Sequence, residues 1–322
     1  LPGSVQQILE ARGADSTLMR RDQPGGKRSF TMDGLDVVQC DIFARALAPI
    51  RLPEKTDSAR LPGSVTFLEG YHVHRPEELD IADFWSSSCS WRSLSAPIGI
   101  GAGGKVISFD IHEKHSGPHG LVAGTNGSGK SEMAQSWITS MALQFSPRDV
   151  NFVLVDFKGT SLLQPFRELP HLAGSISNLD KDIQRCLMAL DNEIERRQLL
   201  VDQYGAHDIL GYQALRRNNP NMEEMPFLIL VIDEFADFKA QYPDFTGPLN
   251  HIFRGGRALG IYTVIMTQKP AGVVTEQMYA NARFRWCLKV MSESDSREMI
   301  GISDAAYLNQ PGRAYVRSGT DV

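Results

Sequence analysis

From position 119 onward, continuous apolar runs alternate with stretches in which apolar residues recur every three to four positions. The runs lie at 120–123, 151–156, 227–233, 261–267 and 285–290, and the helical spacing fills 130–144, 179–204, 247–257 and 294–300. Apolar strands separated by helices predict an α/β domain whose mainly parallel sheet is covered on both faces. Upstream the pattern weakens. Residues 61–118 read as a mixed α/β attachment to the core, with short strands at 65–68 and 96–100 and a helix at 77–85. Residues 1–60 are polar and turn-rich, a segment or linker in which Gln23-Pro24-Gly25-Gly26-Lys27-Arg28 signals a turn and 37–47 has helical spacing. The expected division is therefore 1–60, 61–118 and 119–322.

Length and charge narrow the function classes. The chain has 322 residues, enough for one large domain or two modest ones. Its 33 basic and 38 acidic side chains leave a net charge of −5, which argues against a protein built to grip DNA by its phosphates. Four cysteines form no CxxC pair, so a zinc knuckle or redox motif is not expected. His112-Glu113-Lys114-His115 is one residue short of the H-E-x-x-H that would put two histidines on one helix face. No apolar run reaches membrane-spanning length. The chain opens on Leu1 and stops after a strand-like run, so it reads as a piece of a longer protein whose membrane anchor would lie elsewhere.

The chemistry concentrates after the 120–123 run. Gly124-Thr125-Asn126-Gly127-Ser128-Gly129-Lys130-Ser131 fits G-x-x-x-x-G-K-[ST] between a strand and a helix, and Glu132 follows it. The glycines let the loop curl so that backbone N–H groups converge on phosphate, and the helix N-terminus adds partial positive charge. Lys130 is expected to reach the β- and γ-phosphates of ATP, and Ser131 to ligate Mg²⁺. A second apolar run, 227–232, leads straight into Asp233-Glu234, a Walker B strand. Asp233 would share the Mg²⁺ and Glu234 would act as general base on the attacking water. The run at 151–156 lies between the two motifs in sequence, an order that marks the RecA-like branch of P-loop NTPases. Gln268, just after the 261–267 run, is placed to sense the γ-phosphate.

These residues resemble the FtsK/SpoIIIE-type motor ATPases over roughly 61–317. The resemblance runs through Asp156-Phe-Lys158-Gly159, Glu193-x-x-Arg196-Arg197, Gly256-Arg257-Ala-Leu-Gly260, Thr267-Gln268-Lys269-Pro270, Asn281-x-Arg283-Phe-Arg285 and Asp295-Ser296-Arg297. Gly117-Pro-His-Gly, Leu169-Pro-His171, Ser177-Asn-Leu-Asp180 and Pro311-Gly-Arg-Ala-Tyr315 make it most similar to the first ATPase domain of the EssC/EccC-type motors of type VII secretion. The resemblance implies a RecA-like core in a membrane-anchored protein with tandem ATPase domains on the cytoplasmic side. It also implies assembly into a ring, a hexamer, and export of WXG-class helical-hairpin proteins. The sequence departs from the family at Asn126, Thr160-Ser161, Lys269 and Trp286, none of them a catalytic group.

Ring ATPases borrow a positive charge from the neighbouring subunit. Arg196, Arg197, Arg257 and Arg285 are candidates, and the Arg196–Arg197 pair is favoured because it completes a family motif. The bland alternative for all four is ion pairing on a helix surface. Two other functions share this chemistry: a DNA translocase of the same class, and a nucleotide-binding regulatory module with little turnover. An isolated monomer that lacks its partner's arginine should turn over slowly.

Overall fold

The computed structural model describes residues 7–12, 15–20, 23–30, 61–157, 162–177, 183–243 and 246–319. The expected 37–47 helix lies outside them, as do positions 158–161 and 178–182, which carry parts of the family resemblance. The chain divides into two units, Leu1–Arg60 and Leu61–Val322.

The first unit holds strands β1 (Gln7–Arg12), β2 (Asp15–Arg20) and β3 (Gln23–Phe30), paired antiparallel in the order β1-β2-β3. The Pro24-Gly25-Gly26 signal, read as a turn, falls inside β3. A register shift absorbs it: Arg20 pairs with Gln23 and Leu18 with Arg28, so the intervening residues bulge without ending the strand.

The second unit begins with the attachment. The 65–68 run, expected as a strand, leads into a 3₁₀ turn, Phe67–Tyr71, because the Glu69 carboxylate accepts the Thr66 N–H at 2.9 Å and closes the chain locally. Helix α1 (Ile81–Ser87) is capped by Asp80, whose side chain accepts from the Asp83 N–H. Strands β4 (Ser95–Ile100) and β5 (Val106–Asp110) form a separate antiparallel pair. Tyr71 and Trp85 donate to the Ser140 and Ala142 carbonyls, which fastens the attachment to helix α2 (Lys130–Gln144).

The core is a seven-stranded sheet made of β6 (His119–Ala123), β7 (Val150–Asp156), β8 (Leu172–Ser177), β9 (Phe227–Asp233), β10 (Ile261–Thr267), β11 (Ala282–Cys287) and β12 (Tyr315–Ser318). Their spatial order is β12-β11-β6-β10-β9-β7-β8, parallel except for the antiparallel β12 at one edge. Every residue of β6, β9 and β10 is buried, so both faces of the sheet are covered, as their unbroken apolar character requires. Covering and connecting helices are α3 (Ile183–Gln203), α4 (Ile209–Asn218), α5 (Phe235–Gln241), α6 (Thr246–Gly255), α7 (Glu276–Asn281) and α8 (Glu293–Ile300). The apolar run read as a strand at 285–290 pairs only to Cys287. Leu288 and Val290 stay buried, but the chain has left the ladder and the Lys289 carbonyl turns to the phosphate loop.

This order positions the site. The chain leaves β6 to build β7 and β8 on one side, returns with β9 and β10, and crosses to β11 on the other side. Ligands of open α/β sheets bind where such a reversal opens a crevice at the strands' carboxyl ends.

Candidate active site

The P-loop joins β6 to α2. Gly127 (φ 74°) and Gly129 (φ 94°) take left-handed conformations that any side chain would strain. A Cβ on Gly129 would also come within 2.7 Å of the Gly312 nitrogen. The loop is held from three directions. Gly124 N–H donates to the Thr267 carbonyl, Thr125 N–H to the Lys289 carbonyl at 2.8 Å, and Gly312 N–H to the Ser128 carbonyl at 2.8 Å. The Ser128 hydroxyl is buried and has no hydrogen-bond partner among the described residues.

Strand β10 lies between β6 and β9, with Thr267 beside Ala123 and Ile265 beside Ile232. The carboxyl end of β10 therefore separates the P-loop from the Walker B acids, and side chains from all three strands meet there. Lys130 Nζ donates to Asp233 Oδ1 at 2.9 Å and lies 3.5 Å from Glu234 Oε2. Ser131 Oγ is 3.4 Å from Asp233 Oδ2. Gln268 Nε2 donates to Glu234 Oε2 at 2.6 Å, and its backbone N–H and the Thr267 hydroxyl approach Oε1 at 3.3 and 3.4 Å. Lys130, Asp233 and Glu234 are all buried, so each charge relies on the others in place of water. Asp156, at the end of β7 and in register with Asp233, accepts from the Leu162 N–H.

Thus Lys130, Ser131, Asp233, Glu234 and Gln268 come together. Thr267, which the sequence reading passed over, belongs with them; its place at the end of the apolar run just before Gln268 was the available signal. Thr125, Asn126, Gln268, Lys269, Met291 and Asp295 line a cleft of about 510 Å³ that opens beside this cluster. Glu132 lies one position beyond Ser131 in the first turn of α2, where a carboxylate favours the helix dipole.

The favoured arginines are elsewhere. Arg197 is 1% exposed, with Nε 2.7 Å from Glu193 and Nη1 donating to the Leu259 carbonyl at 2.8 Å. Leu259 precedes β10, so Arg197 sits at the amino end of the strands, opposite the phosphate loop. Its guanidinium is enclosed within its own subunit. Arg196 pairs with Glu193 and Glu223 on the surface of α3, the ion pairing that was the alternative reading. Arg285 donates to the Glu298, Met299 and Tyr279 carbonyls and lies over the Tyr279 ring. Arg257 is exposed and touches Glu113 at 3.4 Å. His119, placed by the sequence just ahead of the first core strand, is its buried first residue, at the end opposite the P-loop. Its Nδ1 accepts from the Thr263 N–H, and burial drives its pKa down to about 3.

A strand, a glycine loop on a helix N-terminus, and a buried Lys–Asp–Glu trio joined by half-buried Gln268 can cradle a triphosphate and place a base beside its terminal phosphate. A type VII secretion system protein EssC of Staphylococcus aureus is 38% identical over 323 residues, covering 100% of this chain and 22% of its own length. An ESX secretion system protein EccC of Geobacillus thermodenitrificans is 41% identical over 320 residues, 98% of this chain and 21% of its own. The chain thus spans about a fifth of the curated relatives it matches. Among solved structures, the cytoplasmic domain of the Thermomonospora curvata type VII secretion ATPase EccC superposes with a TM-score of 0.74 at 32% identity, over 81% of this chain and 31% of that one. EccC ATPases 2 and 3 from the same organism, in complex with a signal sequence peptide, give 0.63 at 25% identity, over 70% and 41%. The conjugation coupling protein TcpA with ATPγS shares the fold alone, with a TM-score of 0.62 at 20% identity over 98% and 86%. The FtsK/SpoIIIE family model matches residues 81–272, more than half of the sequence, and on that match the chain belongs to the FtsK/SpoIIIE family.

Proposed function

We propose that this chain is an ATP-hydrolysing motor domain of a type VII protein secretion ATPase. The observation that carries the reading is the convergence of buried Lys130, Asp233 and Glu234 with half-buried Gln268 at the carboxyl ends of β6, β9 and β10. Lys130 moves from the acids to the β- and γ-phosphates when a triphosphate enters, since the phosphates carry more charge than the carboxylates it leaves. Glu234, released from Lys130 and oriented by Gln268, takes a proton from the attacking water. Ser131 Oγ and Asp233 Oδ2, hard oxygen donors facing one another at 3.4 Å, fit a Mg²⁺. An ion held there would supply positive charge against the triphosphate.

The positive charge borrowed in trans is supplied by Arg257 in this reading. Unlike Arg197 it is exposed, and unlike Arg285 its guanidinium is not wrapped in carbonyls of its own subunit. Coupling in a ring, a hexamer by family resemblance, drives export of WXG-class proteins from the cytoplasmic side of a membrane. The anchor and further ATPase domains belong to other parts of the parent protein; no helix among the described residues is long and apolar enough to cross a bilayer. The secretion relatives favour protein over DNA as cargo, in agreement with the net charge of −5.

ATP turnover tests the assignment. Glu234→Gln should bind ATP with affinity near wild type and lose about 10²–10⁴-fold in kcat. Equal turnover in that variant would remove Glu234 from its role and favour the regulatory-module reading. A salt-sensitive gain in turnover with double-stranded DNA would favour the translocase.

A further inference from the structure

Different parts of the chain hold the two ends of the phosphate loop. Its first residues, Gly124 and Thr125, are bound to the carbonyls of Thr267, at the end of β10, and Lys289, just beyond β11. Its last residues, Ser128 and Gly129, lie against the turn Pro311-Gly312-Arg313 that leads into β12. The Gly312 N–H donates to the Ser128 carbonyl at 2.8 Å, while the Ser128 hydroxyl has no partner. Among the described residues, the Gly312 bond is therefore what ties Ser128 to structure outside the loop.

Arg313 in turn holds this turn in place. Its Nε donates to Gln310 Oε1 at 2.6 Å, and its Nη2 lies between the Leu61 and Pro62 carbonyls at 3.5 and 3.4 Å. The rigid guanidinium fork thus has one side on the stem of the turn and the other on a stretch 251 residues away in sequence. Arg313 is half-buried, and a charged donor binds a neutral carbonyl more firmly than a neutral donor does. Leu61 is the first residue of the second unit, and residues 61–66 are exposed and lie outside any helix or strand. A stretch of that kind has much conformational freedom to lose. Here its first two carbonyls are bound to the residue next to the one that holds the loop. The contacts run from Leu61 and Pro62 to Arg313, then through Gly312 to Ser128.

The chemistry stands apart from this series of contacts. Glu234 follows β9 and Gln268 follows β10, and they bond to one another and to Lys130 rather than to the 311–313 turn. Arg313 is thus placed to affect how tightly the loop grips phosphate, and not the step that Glu234 performs.

We propose that Arg313 is a positioning residue for nucleotide binding: it ties the 311–313 turn to the Leu61 and Pro62 carbonyls, so that the segment by which the chain enters this unit sets the loop's affinity for a triphosphate. The inference rests on the nucleotide reading above and adds the residue and the segment that tune it.

Titrations of the full chain with ATP and with inorganic tripolyphosphate test it. Arg313→Ala should raise the Kd for ATP about tenfold, the effect of losing one charged hydrogen-bond anchor, and raise KM in parallel while kcat stays unchanged. Tripolyphosphate should weaken by the same factor, because the loop grips both. Arg313→Lys, which keeps a charged donor, should recover part of the loss. Pro62→Gly, a change at an exposed residue that loosens the entering segment, should weaken ATP several-fold in the wild-type background and not at all in Arg313→Ala. Hydrogen exchange at the Gly312 amide should speed up in both single variants. An unchanged Kd in Arg313→Ala would overturn the proposal, as would a Pro62→Gly effect that simply adds to that of Arg313→Ala. So would ATP weakening while tripolyphosphate does not, since Arg313 would then touch the base or ribose itself. A wild-type chain that binds neither ligand overturns the nucleotide reading, a different failure from that of Arg313.

Discussion

Glu234 adopts φ 54°, ψ 64°, a left-handed conformation that costs a non-glycine residue about 1 kcal/mol or more. The turn swings its side chain off the line of β9 toward the end of β10, within reach of Gln268, Thr267 and Lys130 at once. Replacing Gln268 with alanine should therefore lower kcat with little effect on ATP affinity, a split that steady-state kinetics reads directly. His119 makes a prediction about pH. Its folded pKa, near 3, lies below the 6.5 of an unfolded histidine, so folding favours the neutral ring. Its contribution is complete above about pH 6.5 and declines as pH falls toward 3, at about 1.4 kcal/mol per pH unit. His112 and His171 are shifted downward by burial too, which steepens the same acid loss. Thermal melts from pH 7.5 to 5 should show the decline, and His119→Asn, which can keep an acceptor for Thr263, should flatten it.

At the scale of elements, Arg197 fastens α3 to the turn that feeds β10. Arg197→Met should cost about 2–3 kcal/mol, because the Leu259 carbonyl and Glu193 lose a partner, while the Kd for ATP stays unchanged. A chemical-denaturation curve beside a nucleotide titration separates the two quantities. Gly120→Ala should be destabilising as well, since a Cβ there meets the Phe284 ring at 2.0 Å. Legibility varied with burial. β6, β7, β9 and β10 were plain in the sequence because central strands are apolar on both sides. β8, Leu-Ala-Gly-Ser-Ile-Ser, was missed because an edge strand needs little apolar character. The short helices α5 and α7 were missed too, since their caps and packing rather than their periodicity hold them. The burial of Arg197 was not legible, because helical spacing says that Glu193, Arg196 and Arg197 are neighbours but not which of them faces inward.

At the scale of the molecule, both nucleotide motifs could be read from local sequence, whereas their meeting depends on β10 being inserted between β6 and β9. If hydrolysis needs a neighbour's cation, turnover per chain should rise steeply with protein concentration, and an assay on serial dilutions measures it. The phosphate loop adds a constraint of another kind. It lies early in its unit, yet Thr125 is bound to Lys289, a partner 164 residues away, and Ser128 to Gly312. Contacts of such long range form late in folding. A ribosome must release nearly the whole unit before the loop has its anchors, so a half-made chain should neither capture nor consume nucleotide. Stalled nascent chains ending before residue 289 should fail to retain ATP, which ties nucleotide capture to the completion of the chain's own synthesis.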